Sequence, residues 1–463
     1  WVVGAYALAF ASLMLPFGTL ADRLGRRRVM AVGLLVFGAG SILGVVSTSA
    51  GMLIGARVVM GIGAAASEPG TLSMIRHIFP ETEDRAQALG VWAAVSGLAL
   101  AAGPVIGGLL VGVWSWRGVF AFNVAVAVAG LVGAYWVLPE SREQQLRSLD
   151  VPGFILGAVA LVSATFATMH GEAAGFAAPE VLALYVVAAV TGVLFVFVER
   201  RAAQPILDLR FFRVPAFVGA NVVAFTTYFA LFAVFFFVPL YLQLVGSASP
   251  YHIALLFLPL AVVLIAGSAL NGRWVAVSGP TLPMTLGCVV SGVAIIVINS
   301  VIKPNSGLAD IGWLLALAGA GLSLVIVPAN STVLDVVPSA RSGMAASAVN
   351  TSRELGAVAG VAVLGAIVNA QLTVNLNRSL IAAHIPKGLR ELVITAVTTG
   401  NYGPGSTQNV PTTGPTGQLI QRVLNEAEGA FTTGLNIVLL LSGALMLASM
   451  IAALATARHT VVE

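Results

Sequence analysis

The chain has 463 residues, of which 9% are charged and 58% are hydrophobic. An average soluble domain carries roughly 25% charged residues, so the composition excludes a water-soluble globular protein and indicates one whose solvent is lipid. The formal net charge is only +4, and the chain has one cysteine, which excludes both a disulfide framework and a thiolate metal site. The arginine cluster Arg26, Arg27 and Arg28 is too short for a nucleic-acid interface.

The apolar stretches predict an all-α polytopic membrane protein. A helix needs about 20 mostly apolar residues to cross the hydrocarbon core, and thirteen stretches meet this requirement. In chain order they cover residues 1–21, 29–48, 52–75, 86–112, 118–138, 151–170, 179–198, 216–242, 252–275, 282–302, 309–333, 342–369 and 431–457.

The distribution of arginine and lysine orients these spans. If residues 22–28 lie in the cytoplasm and each span crosses once, fifteen basic residues are cytoplasmic: Arg23, Arg26, Arg27, Arg28, Arg76, Arg85, Arg142, Arg147, Arg200, Arg201, Arg210, Arg213, Arg273, Arg341 and Arg458. Six are external: Arg117, Lys303, Arg378, Lys387, Arg390 and Arg422. The predicted orientation places the C-terminus on the cytoplasmic side of the membrane. The composition, rich in alanine and with arginine in place of lysine, is associated with bacteria that have GC-rich genomes, so a bacterial inner membrane is expected.

The two halves of the chain repeat each other. Gly18, Gly25, Gly61 and Gly63 recur in the second half as Gly272, Gly279, Gly319 and Gly321. Two homologous, like-oriented bundles explain such a repeat. We predict an N-terminal bundle at 1–138, two extra central spans with flanking loops at 139–215, and a C-terminal bundle at 216–463. Thirteen spans leave the first bundle one helix short, so a first helix is expected to be missing from it.

The turn between the first two spans has the sequence GTLADRLGRRRV. Taken alone, the arginines are those of any positive-inside loop. Together the residues resemble motif A of the major facilitator superfamily, carried here by Gly18, Asp22, Arg23, Gly25, Arg26 and Arg27. The resemblance implies that Asp22 approaches the amino end of a helix in the other bundle, near residues 339–343. Free backbone N–H groups and the helix dipole stabilise a carboxylate there by roughly 0.3–1 kcal/mol.

The segment RVVMGIGAAASEP resembles motif B. Arg57, Gly61 and Glu68 lie within about 40° of one another on a helical wheel, and Gly63 is a further residue of the motif. An ionisable residue inside a span is costly and indicates function by default. Glu68 is therefore a candidate proton or cation site; a structural ion pair inside the bundle is the alternative.

The segment GLALAAGPVIGG resembles motif C, the antiporter motif, through Gly103, Pro104, Gly107 and Gly108. Proline removes a backbone hydrogen bond and bends a helix, and glycines let a neighbouring helix pack closely. The resemblance implies export of substrate in preference to uptake. The six, two and six arrangement is similar to the fourteen-helix drug:proton antiporter family.

The second bundle contributes further candidates. Arg353 and Glu354 are adjacent ionisable residues in one span, and Glu354 is a second coupling candidate whose charge Arg353 offsets in part. A substrate cavity is predicted from four residues: Tyr228, Phe235, Tyr241 and Asn350. An aromatic stripe that faces lipid or packs inside the bundle is the alternative for the three aromatic residues.

The longest polar segment, 370–430, is predicted to be an external loop with two short helices, at 378–398 and 417–429. It is open whether this loop acts as a gate, a partner site or neither.

The resemblance implies a proton-coupled exporter of small hydrophobic or cationic drugs that works by alternating access and as a monomer. Its expected partners are the substrate, protons and the bilayer; the proton gradient replaces any cofactor. Export of a native metabolite, lipid or siderophore on the same fold is the alternative. Proton symport is disfavoured by motif C, and a membrane enzyme is disfavoured because no catalytic constellation is present.

Overall fold

A computed structural model describes residues 4–141, 150–202, 205–382 and 414–457, together with Val2, Ile385, Lys387, Gly388 and Arg390. The described residues form thirteen long helices and no strand. These are α1 Gly4–Leu24, α2 Arg26–Val45, α3 Ala50–Ile78, α4 Thr82–Val113, α5 Trp116–Val137, α6 Val151–Ala174, α7 Pro179–Glu199, α8 Pro215–Leu244, α9 Pro250–Ser278, α10 Thr281–Val301, α11 Leu308–Val336, α12 Ser342–Ala382 and α13 Gly414–Ala455.

The helices agree with the predicted spans. Twelve of them are long and apolar enough to cross a membrane by length and composition. The remaining predicted span, 86–112, falls within α4, which begins with a charged turn containing Glu83 and Asp84. The prediction of an all-α polytopic membrane protein is therefore confirmed.

The glycines of the internal repeat make equivalent close contacts between helices in the two bundles. A Cβ on Gly61 of α3 would lie 2.6 Å from the carbonyl oxygen of Tyr6 on α1, and a Cβ on Gly319 of α11 would lie 2.5 Å from that of Leu260 on α9. Only glycine allows backbones to approach so closely. The pairs α1–α3 and α9–α11 therefore pack in the same way, as two halves of one pseudo-symmetric fold.

The two turn glycines of the repeat share an unusual backbone conformation. Gly25 ends the turn between α1 and α2 with φ +113°, and Gly279 has φ +75° at the matching turn between α9 and α10. A side chain disfavours positive φ, so this tight reversal requires glycine at both places.

The two bundles meet along two equivalent seams. α1 of the N-terminal bundle packs against α12, and α4 packs against α9. The extra pair α6 and α7 packs together, and α6 also lies against α1 and α12, so it covers the first seam. These contacts are compatible with boundaries at 138 and 215, which stay a prediction.

A π-turn interrupts α8 at residues 233–237. Pro239 follows it, and proline has no N–H and its ring crowds the carbonyl one turn earlier. The widened turn accommodates this mismatch without ending the helix.

The external segment differs from the prediction. α12 has 41 residues and α13 has 42, about 60 Å each at 1.5 Å per residue, twice the hydrocarbon thickness. Residues 370–382 and 414–430 thus continue the spans as helix, and Lys387, Gly388 and Arg390 are helical beyond the non-helical Ile385. Helix propagation costs less than starting a new helix. Residues 391–413 of the predicted loop lie outside the described residues.

Candidate functional site

Asp22 lies at the end of α1 and caps the beginning of α12. Its side chain is buried, with 1% of the residue exposed. Oδ2 accepts hydrogen bonds from the backbone N–H of Gly343 at 2.8 Å and of Met344 at 3.2 Å. These N–H groups have no partner within the helix and carry the positive end of its dipole. A carboxylate of the N-terminal bundle thus binds the amino end of a C-terminal-bundle helix, the contact that motif A implied.

Arg26 and two serines complete this network. Arg26 Nε donates to Asp22 Oδ1 at 3.0 Å, and its Nη2 donates to Ser342 Oγ at 2.8 Å. Ser73 Oγ donates to Asp22 Oδ1 at 3.3 Å and lies 3.0 Å from Ser342 Oγ. The network, which we name the gate cluster (Asp22, Arg26, Ser73, Ser342, Gly343), joins α1, α2 and α3 to α12.

The other motif A residues support the gate cluster from outside. A Cβ on Gly18 would lie 2.5 Å from the carbonyl oxygen of Gly343, so glycine is required for α1 to reach α12. Arg27 Nη1 donates to the carbonyl of Leu138 at 3.1 Å, which ties the turn to the end of α5. Arg23 lies within the electrostatic influence of Asp22 and of acids on the linker side.

The second seam is closed on the same side by different chemistry. Residues 271–279 at the end of α9, which repeat the two turn glycines of motif A as Gly272 and Gly279, contain no aspartate. Instead, Arg85 near the start of α4 forms an ion pair with Asp335 near the end of α11. A Cβ on Gly272 of α9 would lie 2.6 Å from the carbonyl oxygen of Ala86. Both seams are therefore shut on the side where the odd-numbered helices end, which we name the arginine-rich side.

Asp335→Asn is expected to loosen this second closure. Arg85 keeps its bonds to the carbonyl of Pro80 at 2.6 Å and to Thr82 Oγ1 at 3.0 Å, so the loss is that of one charge-assisted contact, about 1.5–3 kcal/mol. A lower Tm of the purified protein in detergent is the expected readout. Asp84→Asn removes an exposed acid beside Arg85 and is the matched control; an equal Tm for both variants would contradict the assignment.

A second polar cluster lies deeper, between the bundles. Arg353 of α12 donates from Nη1 to Asn350 Oδ1 at 2.8 Å and from Nη2 to the hydroxyl of Tyr228 on α8. The same Nη1 lies 4.0 Å from Oε1 of Glu68 on α3. The side chains of Arg353 and Glu68 are 11% and 30% exposed. A C-terminal-bundle arginine thus faces an N-terminal-bundle acid across the interface.

Aromatic rings and a second acid surround this ion pair. The guanidinium of Arg353 lies 4.4 Å from the ring centroid of Tyr228 and 5.5 Å from that of Trp92 on α4, within range of cation–π attraction. Glu354 interacts electrostatically with Glu68 and Arg353. We name Glu68, Tyr228, Asn350, Arg353 and Glu354 the central cluster; four helices contribute to it or line it.

The remaining motif B residues face α1 and α2. The guanidinium of Arg57 stacks 4.5 Å above the ring of Tyr6, and its Nε donates to the carbonyl of Val2 at 2.9 Å. Gly61 packs against α1, whereas Gly63 packs against α2 near Phe37. The guanidinium of Arg57 is therefore held by Tyr6 and Val2, whereas the described ion-pair partner of Glu68 is Arg353.

Motif C lies on α4, in a region without close packing. A Cβ on Gly103 or Gly107 would meet nothing within 4 Å among the described residues. These glycines predict that a neighbouring helix packs closely against them. No described helix does so. Pro104 and Gly108 lie on the same helix; their immediate surroundings are outside the described residues.

The predicted aromatic cavity is divided. Tyr228 belongs to the central cluster, but Phe235 packs on Phe257 with ring centroids 5.5 Å apart. Tyr241 is 1% exposed and stacks on Phe431 inside the core of the C-terminal bundle. Their role in substrate binding stays a prediction, and the structure gives them packing partners within their own bundle.

The space beside the central cluster is small. A cavity of about 10 Å³ is lined by Tyr228, Asn330 and Arg353 among others, about enough for one water and far below the roughly 300–1,000 Å³ of a drug-sized site. Arg353 Nε and Asn330 Oδ1 are buried without a partner among the described residues. The residues that line this cavity all belong to α8, α11 and α12 of the C-terminal bundle, and at this size it holds no drug-sized compound.

Several residues of these clusters had no signal in the sequence. Trp92, Ser73 and Ser342 are single uncharged residues in apolar or small-residue runs, and Asp335 lies more than 200 residues from its partner Arg85. Two of them nevertheless lie at predicted boundaries, because Asp335 follows the end of one predicted span and Ser342 begins the next. The resemblance to motif A implied only the second of these places, near residues 339–343.

Comparison with known protein families matches residues 1–361 to the Major Facilitator Superfamily. The chain is 30% identical over 404 residues to the multidrug resistance protein Stp of Mycobacterium tuberculosis, covering 87% of this chain and 75% of Stp. It is 34% identical over 392 residues to the multidrug efflux pump LfrA of Mycolicibacterium smegmatis, covering 84% and 75%. It is 34% identical over 377 residues to the methylenomycin A resistance protein of Bacillus subtilis, covering 81% and 80%.

Among solved structures, the human organic anion transporter MFSD10 (TETRAN) superposes with a TM-score of 0.59 at 16% identity, covering 96% of this chain and 83% of that one. A bacterial homologue of the human lysosomal transporter Spinster superposes with a TM-score of 0.54 at 16% identity, covering 98% and 88%. At this identity the likeness concerns the fold. The paired bundles, the gate cluster and the family match lead to one conclusion: this chain belongs to the major facilitator superfamily.

Proposed function

We propose that this protein is a proton-coupled exporter of small hydrophobic or cationic compounds that works by alternating access. Three relatives at 30–34% identity are named for drug efflux or resistance. Motif C on α4 favours export. The acids of the central cluster supply groups that can exchange a proton.

The observation that carries the proposal is the ion pair across the bundle interface. Glu68 belongs to the N-terminal bundle and Arg353 to the C-terminal bundle, so their interaction changes whenever the bundles rock. A buried carboxylate keeps its charge only while a cation or hydrogen-bond donors stay near it. Protonation of Glu68 would release Arg353, and a cationic substrate would compete with Arg353 for the same carboxylate.

The gate cluster supplies the other half of the cycle. Closure on the arginine-rich side places Asp22 on the amino end of α12, and opening must break these bonds. Substrate then has access to the central cluster from that side. Alternating access consists of exchanging this closure for a closure at the opposite ends of the helices.

We further propose that the chain is a fourteen-helix drug:proton antiporter whose N-terminal bundle is completed by one more apolar helix. α8 packs against α11, α12 and α13, but no described helix takes the equivalent place against α3, α4 and α5. Gly103 and Gly107 on α4 have no neighbour within 4 Å among the described residues, which is compatible with a missing helix beside α4. Reaction of a Gly103→Cys variant with a membrane-permeant maleimide in native membranes would argue against a helix covering that face.

The orientation in the membrane, the oligomeric state and the driving force are also part of the proposal. The arginine-rich side and the C-terminus face the cytoplasm of a bacterial inner membrane, because basic residues are retained there. The working unit is a monomer driven by the proton gradient, with no cofactor and no nucleic-acid partner. A C-terminal fluorescent fusion that is quenched by an impermeant external quencher would contradict the orientation, and sedimentation in detergent would test the monomer.

Glu68→Gln is the decisive test of coupling. Adding a hydrophobic cation such as ethidium to the weakly buffered, detergent-solubilised protein should release protons, and the variant should lose this release by about tenfold or more, since glutamine cannot exchange a proton. Glu81→Gln, at the exposed start of α4, is the matched control. Undiminished proton release in Glu68→Gln, with ethidium still bound, removes Glu68 from the mechanism.

A further inference from the structure

A polar pocket lies at the arginine-rich side, where the extra pair of helices connects to the C-terminal bundle. It encloses about 580 Å³ between the end of α7 and the beginning of α8. Its charged lining consists of Glu199, Arg200, Asp208, Arg210, Arg213 and Arg341. Four guanidinium groups face two carboxylates, which leaves an excess of two positive charges.

The carboxylates of the pocket already have their partners. Asp208 accepts a hydrogen bond from Arg210 Nη2 at 2.7 Å and pairs with Arg341. Burial alone would raise the pKa of Asp208, but the bonds from Arg210 and the charge of Arg341 outweigh it and lower that pKa below its ordinary value. Asp208 therefore stays charged at neutral and mildly acidic pH. Glu199 accepts from the N–H groups of Ile206 and Leu207, both at 3.3 Å.

Arg200 and Arg213 account for the excess charge. Both are exposed, and neither has a hydrogen-bond or ion-pair partner among the residues that the structure describes. Arg201, adjacent to Arg200, differs: its guanidinium lies 3.9 Å from the ring centroid of Phe197, and it does not line the pocket. The pocket thus holds two guanidinium groups that are available to an anion.

Apolar surface adjoins these two arginines. Val193 and Phe197 of α7 are 68% and 51% exposed, and Phe212, next to Arg213, is 46% exposed. α7 is the least buried of the twelve apolar helices that are long enough to cross a membrane. A basic pocket at the end of a lipid-facing helix matches a molecule with an anionic head and an apolar tail better than a free ion.

We propose that this pocket binds the phosphate-bearing headgroup of an anionic phospholipid, with its acyl chains along α7. Basic pockets between transmembrane helices bind such headgroups, and arginine donates two parallel hydrogen bonds to phosphate oxygens. The site is separate from the central cluster and does not depend on the transport proposal. It borders the gate: Arg341 directly precedes α12, and Thr19 of α1 donates to the carbonyl of Ile206 at 3.0 Å. A bound headgroup therefore holds the linker in the position seen with the gate closed.

The test measures lipid binding to the purified full chain in detergent, by native mass spectrometry during titration with phosphatidylglycerol. The double variant Arg200→Gln/Arg213→Gln should bind roughly thirtyfold more weakly, because two surface charges are lost. Arg201→Gln is the matched control and should bind like the unmodified protein. Arg200→Lys/Arg213→Lys keeps both charges and should recover most of the affinity, which separates loss of charge from misfolding.

Three results would overturn the proposal. The first is equal phosphatidylglycerol affinity in the double glutamine variant and in Arg201→Gln. The second is equally tight binding of phosphatidylcholine, whose phosphate charge is compensated by its quaternary ammonium group. The third is displacement of phosphatidylglycerol by millimolar inorganic phosphate, which would make the pocket a site for the free anion and not for a lipid.

Discussion

Asp22→Asn is expected to open the arginine-rich side of the transporter. Asparagine keeps the shape of the side chain but removes the charge that holds Arg26 at 3.0 Å and the N–H groups of Gly343 and Met344. Breaking a buried ion pair costs about 3–5 kcal/mol, and Arg26 recovers part of this through Ser342. A net loss of about 3 kcal/mol shifts the balance between closed and open states roughly a hundredfold.

A distance measurement reads out this shift directly. Spin labels at Leu24→Cys on α1 and Val277→Cys on α9 are at exposed positions in different bundles at the arginine-rich side. The label-to-label distance should lengthen in Asp22→Asn, and ethidium export from vesicles should fall at least tenfold. Arg28→Gln, which changes an exposed arginine four residues from Leu24, is the control. An unchanged distance distribution in Asp22→Asn would show that Asp22 does not hold the gate.

Arg353→Met is expected to have the second-largest effect. Methionine keeps much of the volume but removes the cation that faces Glu68 and interacts electrostatically with Glu354. Two like charges in a low-dielectric interior repel strongly, so at least one acid takes up a proton in all states of the cycle. A coupling acid that never loses its proton cannot drive exchange, so export should fall about a hundredfold, while the protein still folds.

A double-mutant cycle separates the ion pair from general packing. If Glu68 and Arg353 interact, Glu68→Gln should cost less stability in the Arg353→Met background, with a coupling energy of about 0.5–3 kcal/mol from Tm values. Tyr228→Phe removes the hydroxyl that accepts from Arg353 and serves as the milder comparison. Strict additivity of Glu68→Gln and Arg353→Met would mean that Glu68 and Arg353, 4.0 Å apart, do not stabilise each other.

The predicted sites differ in how directly local sequence specifies them. The turns at Gly25 and Gly279 could be predicted from the sequence because a tight turn with positive φ requires glycine. Motif A contains both the first of these turns and the acid Asp22 that precedes it. Motif C was equally readable, but its glycines meet no neighbour among the described residues. A motif predicts how a helix is able to pack, and the partner must come from elsewhere in the protein.

The extent of the external segment was a misjudgement of the same kind. Polar residues from 370 onward indicated a loop, yet α12 continues to Ala382 and α13 already begins at Gly414. Hydropathy reports where a helix leaves the lipid. It does not report where the helix ends, because a hydrogen-bonded helix continues in water without the need for an apolar face.

The amino-acid sequence by itself determined that the chain is a series of apolar spanning helices with an internal repeat, because lipid requires long apolar helices and a tight turn requires glycine at fixed places. The tertiary structure alone decided that Glu68 faces Arg353 and not Arg57, that Arg85 reaches Asp335, and that Tyr228 and Tyr241 belong to different environments. The reason is that charges inside a bundle pair by proximity in space, and residues on separate helices become neighbours only after the helices have packed.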